Sequence, residues 1–355
     1  GPFVFNVIDT TTFQISSDIR QIALMIILMR AGLNLQISDL KKVGPSALLM
    51  CFVPASFEII GLMILAPIFL HLDLLNAALL GTVLAAVSPA VVVPLMLKLM
   101  DEGYGAKEGI PQLIMAGASM DDVYVIVLFT SLLTLAKSGE FNALSLLRIP
   151  TSILFGIISG IVLGYVLCKL YRLLKLSTEI ELASMFAIGM ILITIERMMV
   201  GVVGFSGLLA IMAMTAAIRH IKPEMADKYS AILAKLWQPA EIFLFALVGA
   251  SVRIDYALSF GPVVLVVIIL ALVFRMLGVY LSIMQTKFNR KERIFTMIAY
   301  IPKATVQAAI GGLALEAGLA SGELILTTAV TAILVTAPLG AIFISFTYRN
   351  FLQKA

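Results

Sequence analysis

Eleven runs of about 20 mostly apolar residues, joined by short polar connections, constrain what this 355-residue chain can become. They lie near 17–35, 44–70, 75–99, 108–135, 149–171, 180–199, 203–218, 229–251, 257–284, 293–315 and 324–346. Within a bilayer the backbone must satisfy its own polar groups, so runs of this length read as helices and the chain as an all-α polytopic membrane protein. Composition agrees: 61% of residues are hydrophobic and 13% charged, against about a quarter charged in soluble domains. No connection is long enough to separate soluble domains, so residues 1–355 read as one membrane domain. Cys51 and Cys168 both fall in apolar stretches without ligand or disulfide spacing and read as inert.

If the runs alternate across the membrane, sixteen Lys and Arg residues fall on one side, Lys41, Lys42, Lys107, Lys222 and Lys287 among them. Five fall on the other, including Lys137 and Arg253. That asymmetry predicts a cytoplasmic C-terminus. It also accounts for the net charge of +4 without a nucleic-acid-binding patch. The opening GPFVFNVIDTTTFQ lacks the basic segment and small-residue cleavage site of a signal peptide. Gly1-Pro2 reads as a protease scar or as the middle of a longer chain.

Two runs carry prolines where a continuous helix would not want them. The third reads LLGTVLAAVSPAVVVPLMLKLM, with Pro89 and Pro94, and the tenth IAYIPKATVQAAIGGLAL, with Pro302. Each proline removes a backbone donor and crowds the preceding turn, so both runs are expected to break there. Backbone freed at membrane depth needs protein or a water-lined cavity around it, which marks a site. The broken runs occupy the same place in two three-run units, 44–135 and 257–346, which enter from opposite sides. That is an inverted repeat, the architecture in which two discontinuous helices cross at a transported substrate.

Five charges fall near the middle of runs in these units: Glu58, Asp121, Asp122, Arg275 and Lys303. Intramembrane charge is costly and by default functional. Three acids against two bases leave one negative charge for an alkali cation or a proton to neutralise. Adjacent helix positions point about 100° apart, so Asp121 and Asp122 cannot both face one small target. One is expected to bind the cargo, and the other to act through water or pair with Arg275 or Lys303. A carboxylate accepts either a hard cation or a proton, and competition for one site suffices for antiport. Ser88 and the carbonyls near Ala86 and Val87 are candidate extra oxygens; a hydroxyl that merely caps the helix break is the simpler reading of Ser88.

The combination SPAVVVP, GASMDDV, FRMLG and IPKATVQAAIGG closely resembles the NHA branch of the cation/proton antiporter superfamily, from about Ser46 to the C-terminus. The stretches GYGAKEGIPQLIMAGASMDD and ILVTAPLGAIF share the resemblance. It implies a homodimer in the bilayer, in which each protomer joins a dimerisation domain to a six-helix core and exchanges Na⁺ or Li⁺ for H⁺ by alternating access. By the same motifs Asp121 and Asp122 correspond to the ion-binding aspartates, and Glu58, Arg275 and Lys303 to a polar cluster beside them. Helices preceding residue 1 are also implied. Many paired-aspartate antiporters carry Lys where this chain has Arg275, and an arginine does not give up its proton. Exchange is therefore expected to be electroneutral.

The expectation is a transporter rather than an enzyme, without a cofactor, in a plasma membrane or bacterial inner membrane. A K⁺/H⁺ antiporter, a cation channel and an organic-anion symporter on the same fold are the rivals. An intramembrane aspartyl protease would want its acids on opposed helices, whereas these are neighbours on one.

Overall fold

A computed structural model describes residues 10–34, 45–105, 107–137, 148–199, 204–251 and 254–354. Gly1-Pro2, Lys41, Lys42 and Arg253 lie outside the described residues. The described chain is helical. It opens with α1 (Thr10–Leu33), α2 (Pro45–Met50), α3 (Val53–Leu70), α4 (Leu74–Leu84) and α5 (Pro89–Asp101). There follow α6 (Ile110–Lys137), α7 (Arg148–Leu174), α8 (Thr178–Met199), α9 (Gly207–Ile221) and α10 (Pro223–Ser251). The last are α11 (Ile254–Ser282), α12 (Arg290–Ala299), α13 (Thr305–Ile310), α14 (Leu313–Glu316) and α15 (Gly322–Phe351). Among the described residues eight segments are long and apolar enough to cross a membrane, and Gln21–Leu33 and Gly207–Ile221 are shorter apolar helices. The run at 293–315 becomes three short helices, α12 to α14.

Local chemistry sets the helix ends. Asp73 caps α4 by accepting from the backbone N–H of Leu75 at 3.0 Å and of Asn76 at 3.1 Å. Asn289 and Glu292 form a reciprocal capping box at the start of α12. The break between α4 and α5 follows from Pro89. A residue before proline is pushed out of the helical region, and Ser88 is extended at φ −87° and ψ 109°. Pro89 then opens α5 at its first position, where a missing N–H costs nothing. Pro302 acts likewise between α12 and α13, where residues 301–304 are non-helical.

Pro94 departs from expectation: it sits inside α5 and breaks nothing. It lies in the second turn, so only the bond its N–H would have made to Ala90 is lost. The neighbouring turns carry the helix through.

The chain divides into two compact units. The first comprises Ile37–Val125 and Val248–Ala355 and holds both broken helices. Within it α3 lies close along α11. The Cβ position of Gly278 is 2.8 Å from Pro54 Cα and 3.0 Å from the Val53 carbonyl oxygen, so only a glycine permits this approach. Gly340 of α15 does the same against Pro302, whose Cγ is 2.4 Å from where a Cβ would sit. Met50, Val87, Met96, Ile114, Phe295 and Ile344 are among the side chains of the apolar core on the α2, α5, α6 and α12 side.

The second unit comprises Ile8–Gln36 and Ile126–Leu247. Its centre is α9, buried at most positions. Gly156, Gly160 and Gly164 recur at four-residue spacing on α7 and let it meet α9 backbone to backbone. On that face a Cβ at Gly160 would lie 2.4 Å from the Ala210 carbonyl oxygen and 2.7 Å from Ala213 Cβ. Gly160→Val is therefore expected to destabilise the protein by about 1–3 kcal/mol, read as a lower melting temperature in detergent. Gly249→Ala, with nothing within 4 Å of its Cβ position, should leave the melt unchanged.

Candidate functional site

Ending α4 at Leu84 leaves its last carbonyls without helical donors, and the first unit answers with side-chain cations. Lys303 Nζ donates to the Leu84 carbonyl, and Arg275 Nη1 to that of Ala85. Gln307 Nε2 donates to Ala86 O at 2.8 Å. Cations at a helix C-terminus complement its partial negative charge, and burial strengthens the interaction. The two breaks are also joined directly, Ser88 N donating to Pro302 O at 2.8 Å.

Around this crossing lie the charges singled out by the sequence. Glu58, Asp121, Arg275 and Lys303 are each 0% exposed. Arg275 joins the two carboxylates: Nη1 meets Glu58 Oε2 at 2.8 Å and Nη2 meets Asp121 Oδ2 at 2.7 Å. Its Nε donates to the Tyr300 carbonyl at 2.8 Å, and its guanidinium carbon lies 5.3 Å from the Tyr300 ring centre. Lys303 Nζ pairs with Glu58 Oε1 at 2.6 Å. The Lys303 backbone N–H donates to Thr336 Oγ1 at 3.0 Å. Asp121 Oδ2 also accepts from Val87 N at 2.9 Å, so Asp121 is held from α11 and from the break after α4.

Asp122 differs. It forms no ion pair or hydrogen bond among the described residues, and its Oδ1 is buried without a partner. Glu58 shared by Lys303 and Arg275, with Asp121 on Arg275, accounts for two acids and two bases. Asp122 is the carboxylate left over. Asp121 Oδ1, Ser88 Oγ and Gln307 Oε1 are likewise buried and unpartnered. The four are oxygens of the kind that ligate a hard cation. Each would otherwise cost free energy where it stands.

All five sequence-predicted charges thus fall in one unit, and four of them form a single ion-paired cluster. Ser88 makes no capping bond, against its simpler reading. The Ala86 carbonyl is already occupied by Gln307, and Val87 contributes its N–H to Asp121. Tyr300 and Gln307 also join the cluster, through the Tyr300 carbonyl and the Gln307 amide. Gln307 carried a signal, as an uncharged polar residue one helical turn beyond Lys303. Tyr300 looked like ordinary core.

Comparison with known proteins bears on the family and the fold. The family described as "Sodium/hydrogen exchanger, transmembrane" matches residues 1–349. Sodium/hydrogen exchanger 9B2 of Homo sapiens is 34% identical over 352 residues, covering 96% of this chain and 65% of that protein. Sodium/hydrogen exchanger 9B2 of Pongo abelii is 35% identical over 356 residues, with the same coverages. Sodium/hydrogen exchanger 9B1 of Homo sapiens is 35% identical over 340 residues, covering 92% and 65%. The chain thus spans 65% of the length of each of these relatives. Among solved structures, the sodium proton antiporter MjNhaP1 from Methanocaldococcus jannaschii at pH 8 superposes with a TM-score of 0.80 at 18% identity, covering 98% of this chain and 88% of that one. The inverted-repeat antiporter fold with two crossed, broken helices is therefore the fold of this chain, and by sequence the chain belongs to the sodium/hydrogen exchanger family.

Proposed function

We propose that this protein exchanges Na⁺ or Li⁺ for H⁺ across a membrane by alternating access, the cation and the proton competing for the Asp121–Asp122 pair. The observation that carries this reading is the unpaired Asp122 carboxylate beside a cluster whose other charges are matched. An unmatched acid at membrane depth is stable when it holds a proton or a cation. Asp121 Oδ1 and the Ser88 hydroxyl supply further oxygens toward a cation, while Glu58, Arg275 and Lys303 hold the architecture. No cofactor enters the exchange.

The same arithmetic supports electroneutral exchange. Asp121 is balanced by Arg275, which keeps its proton. Asp122 then takes one Na⁺ or one H⁺ in turn, and the loaded site carries the same charge in both directions. We further infer a cytoplasmic C-terminus from the distribution of basic residues and a homodimer from the family resemblance.

The test is flux in proteoliposomes made with the full chain. Asp122→Asn should abolish saturable, pH-dependent Na⁺ or Li⁺ exchange with the wild-type melting temperature, and Asp121→Asn, which also strands Arg275, should reduce exchange at least tenfold and lower the melting temperature. Full exchange in both variants would overturn the proposal. Drive by K⁺ instead would reassign the cargo, and non-saturating flux indifferent to pH would indicate a channel. Imposing a membrane potential without a pH or Na⁺ gradient should move no cation uphill; accumulation under that condition would rule out electroneutrality.

A further inference from the structure

The Tyr300 hydroxyl is a buried polar atom that the exchange reading does not use. Tyr300 is 1% exposed and its hydroxyl has no hydrogen-bond partner. Burying a hydroxyl unsatisfied is costly, and a phenylalanine would fill the same space without that cost. The rest of the residue is tightly committed. Its carbonyl accepts from Arg275 Nε, and its ring lies against the Arg275 guanidinium. The direction of the phenol is therefore set by the same arginine that holds Asp121.

The hydroxyl ends against Gly117 of α6, where a Cβ would come within 2.0 Å of Tyr300 Oη. Gly117 is four residues before Asp121, on the same face one turn earlier. Side chains on a helix lean toward its N-terminus, so the Asp121 side chain is directed along this face toward Gly117. Glycine places nothing of its own between them. Two atoms on this face of α6 are buried and unpartnered, the Tyr300 hydroxyl against Gly117 and an oxygen, Oδ1, of Asp121 one turn on. One is a donor and the other an acceptor, and a single water can join such a pair. The charged and titratable groups around them are Asp121, Arg275 and Cys51 facing Tyr300, and Asp122, Arg275 and Lys303 facing Asp121.

We propose that Tyr300 is a positioning residue for the ion site: through one bridging water its hydroxyl donates to Asp121 Oδ1 and holds that carboxylate oriented toward the cargo. Gly117 keeps the space open. The inference rests on the exchange reading above and adds a residue to it.

A donor to the ionised carboxylate favours that form over the protonated one. Tyr300→Phe should raise the KM for Li⁺ or Na⁺ about threefold or more, the worth of one modest hydrogen bond. The pH profile should move to the alkaline side, while the maximal rate at saturating cation and the melting temperature stay put. Gly117→Ala, whose methyl would claim the place of the hydroxyl, should give the same KM and pH changes. Combined with Tyr300→Phe it should change KM and pH profile no further, because the hydroxyl is then absent and the new methyl's remaining near neighbours are Met50 Cβ at 2.9 Å and the ring Cζ at 3.3 Å. Unchanged KM and pH profile in Tyr300→Phe would overturn the proposal, as would additive effects in the double variant or a loss of maximal rate alone. Should Tyr300→Phe fold poorly, Gly117→Ala decides by the same readouts. Thermal stabilisation of the wild type by Li⁺ or Na⁺, lost in Asp122→Asn, tests the exchange reading separately. Its absence would overturn that reading and this inference with it, whereas its presence beside a silent Tyr300→Phe sinks this inference alone.

Discussion

The Arg275 guanidinium is the interaction on which the first unit depends. From α11 it reaches Glu58 on α3, Asp121 on α6, the Ala85 carbonyl at the end of α4 and the Tyr300 carbonyl after α12. A planar fork with five donors suits this geometry better than any other side chain. In a bilayer the alternative for each acceptor is an unsatisfied group in hydrocarbon, costing several kcal/mol. The helix break and the buried acids therefore require one another. The break supplies carbonyls that stabilise the cations, and the cations allow the break to exist at depth.

Matching charge against charge does not by itself make a buried cluster stabilising. Desolvating each ion costs several kcal/mol, and well-packed apolar residues often serve a fold as well or better. Removing a single partner is the damaging change, because it strands the other. The organisation of this cluster is better understood as a means of leaving one acid over. With Glu58 and Asp121 tied to bases, the remaining charge is localised on Asp122 rather than shared among three carboxylates.

Much of this architecture was visible in the sequence because membranes penalise deviations so heavily. Asp121 and Asp122 within an uncharged run, and Pro89 and Pro302 within apolar ones, are costly enough to stand out. Pro94 looked equivalent to Pro89 but proved harmless: Pro89 pushes Ser88 out of the helix, whereas Pro94 forfeits one bond within a helix whose neighbouring turns carry it through. The pairing was illegible. Arg275 is 217 residues from Glu58 and 154 from Asp121, and nothing local distinguishes the acid that is bound from the one left free. Tyr300 was hidden for another reason: a tyrosine among apolar residues looks like packing until its hydroxyl is found without a partner. The glycine stripe on α7 belongs to the same class, legible as spacing but given meaning only by the helix it meets.

Because Lys303, Arg275 and Gln307 serve as the C-terminal cap of α4, an ordinary structural duty has been assigned to residues at the proposed transport site. Assembly and chemistry are thereby entangled at those positions, and a sequence drifting under selection can alter them only by rebuilding the crossing. Asp122 carries no such duty. It is the one charged position of the five that no ion pair among the described residues ties to the scaffold, so under the proposed exchange a change of cargo has its least obstructed path through that residue and the oxygens beside it.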